Sequence, residues 1–240
     1  MANHEKVQSA PLTSGEIFEF TAAVVEQLPR DLDPAKVRYY SAKKSRLGKA
    51  LRELLAKPQE VINLPEWQDF FRRVLGRNVD LSNLHIPAKP DYLCRPIVNP
   101  GCFTPNDLYD ACTKLFKTWR YTNDLNVIKD VVSRPATPYV IWVRDTEEAD
   151  QDMANISANQ ITERKINTET LSERLIHELK FYDETKKHLD EKNYTLCASS
   201  RDPHGDVPGV RWSSVYGKMS VGWCFLDDRH DSIRARVAIS

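Results

Sequence analysis

Apolar positions recur at helical spacing in three stretches before residue 88 and then give way to shorter, strand-like runs. Thr13-Ser-Gly-Glu16 has the spacing of a capping box, and Ile17, Phe18, Phe20, Val24, Val25 and Leu28 follow it, which predicts a helix ending at Pro29. Asp33-Pro34 opens a second helix, since proline is tolerated at the first helical position, and Leu47, Leu51, Leu54 and Leu55 share one stripe in its later part. Pro65 starts a third, with Trp67, Phe70, Phe71, Val74 and Leu75 inward and Gly76 as its stop. The expectation is a disordered tail over 1–12, a helical unit over 13–88, and a boundary at the connection Ile86-Pro-Ala-Lys-Pro90.

From residue 91 the period changes. Residues 93–98 read as a strand, and Thr104-Pro-Asn-Asp107 caps a helix carrying Leu108, Cys112, Leu115 and Phe116. Tyr139-Val-Ile-Trp-Val143 is a continuous apolar run between Pro138 and Asp145, which predicts a buried strand. Thr170-Leu-Ser-Glu173 is a further capping box, leading an amphipathic helix with Leu171, Leu175, Ile176, Leu179 and Tyr182 on one face. Four strand-like segments follow, at 194–199, 207–213, 219–225 and 233–239. Strand, helix, then several short strands predicts an α+β fold with a small antiparallel sheet.

Composition narrows the function classes. With 34 basic and 34 acidic residues the formal net charge is zero, which argues against steering of the whole chain toward nucleic acid or an anionic membrane. No apolar stretch reaches the roughly 18–20 residues of a membrane helix. Residues 1–14 lack the apolar run of a signal peptide, so the expected compartment is the cytoplasm. Five cysteines, none in a C-x-x-C spacing, fit reduced thiols rather than a disulfide framework or structural zinc.

One change of composition bears on function. Residues 1–196 contain 15 Glu, 15 Lys and 6 Gln, whereas residues 197–240 contain only Lys218 of these types. Charge persists there as five Asp and five Arg. Sheets and turns disfavour Glu and Lys, which accounts for part of the deficit. The preference for Arg is different, because its planar multi-donor head suits recognition. Strand alternation places Val210 and Trp212, and Val221 and Trp223, on an apolar face expected to be core. Opposite lie Gly209, Arg211 and Ser213, and Ser220, Gly222 and Cys224, a mixed set without evident packing logic. The connections add Asp202, His204, Asp206, Ser214 and Tyr216, then Asp227, Asp228, Arg229, His230 and Asp231. Such side chains on a rigid sheet have the chemistry of an adaptable recognition surface.

The helix after Thr170, together with Thr195-Leu-Cys-Ala-Ser-Ser-Arg201, Val207-Pro-Gly-Val-Arg-Trp212, Val221-Gly-Trp223 and Arg234-Ala-Arg-Val-Ala-Ile-Ser240, resembles a group of bacterial proteins. The ending is similar to the variable proteins of diversity-generating retroelements. That resemblance implies a C-type-lectin-like domain over 91–240, with a surface at about 199–232 diversified by an adenine-mutagenising reverse transcriptase. Randomised AAC-like codons in that family cannot yield Glu, Lys, Gln, Met or Trp, which makes Trp212, Trp223, Lys218 and Met219 unmutated scaffold. The ligand-contacting positions so implied are Asp202, His204, Asp206, Arg211, Ser213, Ser214, Tyr216, Ser220, Phe225, Asp227, Arg229, His230 and Asp231. The chain lacks the Trp-Asn-Asp calcium signature of sugar-binding lectins.

Other chemistries are weaker. His188-Leu-Asp190, His204-Gly-Asp206 and the run 227–231 match no metal-ligand spacing, so no metal is expected. Cys197 with His204 is a conceivable nucleophile pair without an orienting third group. No GxSxG elbow, phosphate-cradling glycine loop or HExxH helix occurs, and neither a cofactor nor a catalytic centre is expected. The segment 36–57 holds eight basic residues against Glu53, and it is the basis of an alternative reading as a nucleic-acid-associated protein. The leading expectation is a non-catalytic binding protein with a protein ligand.

Overall fold

The computed structural model describes residues 13–15, 18–19, 21–22, 33–42, 62–90, 93 and 95–240. They belong to two compact units, 1–61 and 62–240.

In the first unit, residues 14–15, 18–19 and 21–22 are helical, and helix α1 spans Pro34–Ala42. Asp33 starts α1 as read from the sequence, its carboxylate accepting from the backbone N–H of Ala35 at 2.9 Å. The leucine stripe at 47–55 and the basic run beyond residue 42 lie outside the described residues.

The second unit begins at Ile62, well before the Pro-containing connection where the sequence placed the boundary. Helix α2, Leu64–Phe70, continues as a π-turn over Phe71–Leu75 and stops at Gly76. Its aromatic residues Trp67, Phe70 and Phe71 are buried in the main core beside Leu93, Ile97, Leu108 and Leu179. Three large rings on a segment this short cannot be covered by its own neighbours, so burial binds the helix into the rest of the second unit.

Next come β1 (Arg95–Asn99), α3 (Pro105–Leu115), β2 (Thr118–Arg120), β3 (Lys129–Asp130), β4 (Tyr139–Val143) and α4 (Ala158–Glu163). Then follow α5 (Leu171–Thr185), β5 (Tyr194–Leu196), β6 (Ser200–Arg201), β7 (Val207–Ser213), β8 (Lys218–Cys224) and β9 (Ile233–Arg234). The fold is mixed α+β with small sheets, and the capping boxes at Thr104 and Thr170 form as the sequence predicts. β4 is buried at every position and pairs antiparallel with β1.

The main sheet has the order β2-β8-β7-β5-β9. The expectation of a purely antiparallel sheet is corrected at its edges. The inner pairs β7–β8 and β5–β7 are antiparallel, but β2 runs parallel to β8 and β9 parallel to β5. Both edge strands arrive by long connections, which permit parallel pairing where a tight hairpin does not. The expected strands at 194–199 and 233–239 are also shorter. Beyond β9 the chain keeps only single bridges, Val237 to Thr168 and Ile239 to Trp142.

Both faces of this sheet are packed, which corrects the apolar-versus-mixed division. One face gives Val210, Met219 and Val221 to the main core. The other gives Leu196, Val207 and Cys224 to a second cluster with Met153, Ala158, Ile161 and Ala235. Gly209 and Gly222, directly paired across β7 and β8, form a cradle for the Tyr194 ring. A Cβ at Gly209 would stand 1.8 Å from Tyr194 Cε1, and one at Gly222 2.2 Å from Tyr194 Oη. Trp223, expected in the core, is 44% exposed because it lies one pleat beyond the end of the apolar layer.

Candidate recognition surface

The strongest clustering of charge is structural and deeply buried. α5 is not amphipathic: Glu173, Arg174, His177, Glu178 and Lys180 are buried along with its leucines. Asp190 stands at the centre. Its Oδ1 accepts from Arg236 Nη2 and from the backbone N–H of Ala149, each at 2.8 Å, and its Oδ2 accepts from Arg174 Nη2 at 2.8 Å. Arg174 also donates to Glu178 at 2.9 Å, and Glu178 meets His188 Nδ1 at 2.8 Å. Burial alone would raise the Asp190 carboxyl, but Arg236 and Arg174 outweigh it and hold the pKa below its ordinary range. Glu169 and His177 form a second pair at 2.8 Å. Burial pushes Glu169 up to about 7 and drives His177 well down. These groups are buried, His188 alone being partly exposed, and they hold α5, β5 and the segment after β9 together.

This network absorbs the first of the metal motifs considered above. His188 stacks on Trp212 with ring centroids 3.3 Å apart and planes 4° apart, and Asp190 is committed to two arginines. Among the described residues no group of three or more His, Cys, Asp or Glu could hold a metal. Cys197 is fully buried, and burial pushes its thiol well above the ordinary range, the opposite of an activated nucleophile.

The thirteen candidate contact residues divide between two ends of one hairpin. β7 and β8 pair from Val207–Cys224 at one end to Ser213–Lys218 at the other, and seven-residue strands separate these ends by about 20 Å. At the turn end, Ser214 and Tyr216 are exposed, while Ser213 is buried and its hydroxyl accepts from the Tyr216 N–H. Arg211 and Ser220 pair along the strands toward that end. The sequence reading missed Trp119 of β2, which pairs with Ser220 and is 47% exposed. The Lys218 ammonium lies 5.8 Å from the Trp119 ring centre and 5.3 Å from that of Tyr216, making an aromatic–cationic platform.

Asp202, His204, Asp206, Phe225, Asp227, Arg229, His230 and Asp231 belong to the opposite end. Asp202 is a buried turn organiser, its Oδ1 accepting from the N–H groups of His204 and Asp206 at 2.8 and 3.0 Å. Asp227 accepts from Asn159 at 2.7 Å, and His230 Nδ1 is 2.8 Å from Ser232 Oγ. Arg229 and Asp231 are exposed, and Phe225 meets Trp223 edge-to-face at 4.8 Å. A cleft of about 410 Å³ opens here, lined in part by Asp202, His204 and Asp206 and completed by Tyr121, Val127 and Trp223. Tyr121 and Val127 escape a sequence reading, because only the fold brings the segment after β2 beside the 202–206 turn.

Exposure sharpens the compositional break. Between 62 and 196, 15 of 51 exposed described residues are Glu, Lys or Gln. From 197 on, none of 13 is, although burial cannot account for the choice at an exposed position. Val215, Tyr216, Trp223 and Phe225 are among those 13.

No family model matches the chain, and no curated protein or solved structure matches it either. Among the described residues no helix is long and apolar enough to cross a membrane.

Proposed function

We propose that this chain is a non-catalytic binding protein that presents a C-type-lectin-like, diversified C-terminal surface to a protein ligand. The observation that carries this reading is the exposed residue set from 197 on: aromatic, Arg, Asp, His, Ser and Gly residues, with no Glu, Lys or Gln, on a sheet packed from both faces. Tyr, Trp and Arg supply most of the energy at protein interfaces, and a sheet that does not rearrange limits the entropic cost of binding. Trp119, Lys218 and Trp223 supply the constant part of the surface, and Arg211, Ser214, Tyr216, Phe225 and the loop 227–231 the variable part.

The test is the DNA around the gene. The reading expects a near-copy of the coding sequence for this segment, beside a reverse-transcriptase gene, differing mainly where the copy has adenine. The differing codons should fall on exposed positions such as Arg211, Ser214, Tyr216 and Phe225 and spare Val210, Met219, Val221 and Arg236. A complete locus with no such copy, or differences centred on the buried set, would overturn it.

A further inference from the structure

The cleft between the 202–206 turn and Trp223 has a chemistry of its own. Its walls include two aromatic residues, Tyr121 and Trp223, with Val127 beside them, and two carboxylates, Asp202 and Asp206; none of its lining side chains is Lys or Arg. The two carboxylates differ in what they already do. Asp202 is committed to the turn and also accepts from the Tyr121 hydroxyl at 3.1 Å. The Asp206 carboxylate accepts no hydrogen bond among the described residues, although its backbone is fixed on both sides by Asp202.

The turn itself is rigid. Gly205 sits at φ +89°, where other residues are strained, and its N–H donates to the Asp202 carbonyl at 3.0 Å. A cleft with aromatic residues in its walls, one uncommitted carboxylate and a second negative charge behind it attracts positive charge. A hard metal ion needs six or more oxygen ligands, which this donor set does not offer. An organic cation needs one charged acceptor and neighbouring aromatic rings, and the lining supplies both.

We infer that this cleft binds a guanidinium or alkylammonium group. The group belongs either to a free small molecule or to an Arg or Lys side chain of a protein. In the second form the inference rests on the binding reading above and names the chemistry that the partner brings. The volume of about 410 Å³ leaves room for the cationic head and the methylene stem leading to it.

The full chain is titrated with tetramethylammonium, N-acetylarginine amide and a short Arg-containing peptide, with N-acetylcitrulline amide as the uncharged counterpart. Amide and indole N–H resonances report the site. Saturable shifts at the Trp223 indole and the His204 and Asp206 amides are expected with the cations and not with citrulline. Asp206→Asn should raise Kd at least about tenfold, and Trp223→Ala at least about fivefold, each with an unchanged fold by its remaining resonances. A peptide bound at least about tenfold more tightly than the amide assigns the cation to a protein partner, and equal affinities assign it to a free molecule. No saturable shift with any cation up to ~20 mM overturns the inference, as does binding indifferent to Asp206→Asn. A templated copy in the gene's locus would then still stand, so failure here and failure of the diversified-surface reading are separable.

Discussion

At Gly209 the sheet admits a hydrogen atom and nothing larger, because a Cβ there would stand inside contact distance of the Tyr194 ring atoms Cε1, Cδ1 and Cζ. Gly209→Ala should destabilise the fold by at least about 2 kcal/mol in urea denaturation, since a ring edge between two strands has no room to retreat. In a Tyr194→Ala background the same substitution should cost almost nothing. An undiminished cost there would show that backbone conformation, not the ring, demands glycine. Asp190 makes a different kind of demand. It adopts the left-handed conformation, φ 60°, and receives two buried guanidinium groups. Asp190→Asn leaves Arg174 and Arg236 short of a counter-charge and should cost about 3–5 kcal/mol, read from the same unfolding curves.

Helix α5 shows what a one-dimensional pattern reveals and what it hides. Thr170, Glu173 and the Leu171, Leu175, Ile176, Leu179 stripe were legible because cap and stripe are local. The charged side was not, because its partners Glu66, Arg134, Glu169, His188 and Asp190 come from other segments. An unpartnered Glu or Arg in a helix reads as solvated. Glu173 illustrates the difference, since it accepts from the Thr170 N–H and from Arg134 and Tyr139 as well. Thr170→Ala removes one cap bond and should cost about 1 kcal/mol. Glu173→Ala strands a buried guanidinium and should cost about 3 kcal/mol or more.

The Glu169–His177 pair gives the same helix a pH dependence. Burial raises Glu169 from 4.5 to about 7, so its contribution is fully present below pH 4.5 and lost as pH rises through 7. His177 acts in the opposite sense, because burial lowers its pKa and its contribution is lost as pH falls below 6.5. Comparison with Glu169→Gln isolates the first effect. Relative to that variant, wild-type stability should fall by about 3 kcal/mol between pH 4.5 and 7. A pH-independent difference would mean that Glu169 holds its ordinary carboxyl pKa.

For the molecule as a whole, residues 62–240 should fold without what precedes them, because both hydrophobic clusters and every buried ion pair described here lie within that span. The fragment should reproduce the near-ultraviolet circular dichroism of its aromatic core and unfold in one transition. Loss of that signal would place part of the core before Ile62. Most element positions after residue 62 were legible from caps, apolar runs and turn residues. The unit boundary was not, because a proline-rich connection marks a turn in the chain and says nothing of which core a neighbouring helix joins. Nor could the sequence show that Ser214 and Tyr216 stand a hairpin's length from His204 and Phe225, since alternation fixes a face and not a distance.

The segment after β9 acts as a clasp on the core. Arg236 reaches Asp190 and the carbonyls of Thr146 and Glu147, and Ile239 exchanges backbone hydrogen bonds with Trp142, so the core is sealed from its downstream side. The contacts of Arg236 and Ile239 can form only once these residues are present in the chain. A chain that stops before Arg236 lacks this clasp and leaves Asp190 with Arg174 as its one remaining guanidinium partner. Truncation before Arg236 should therefore open the core, read as faster limited proteolysis than that of the full chain.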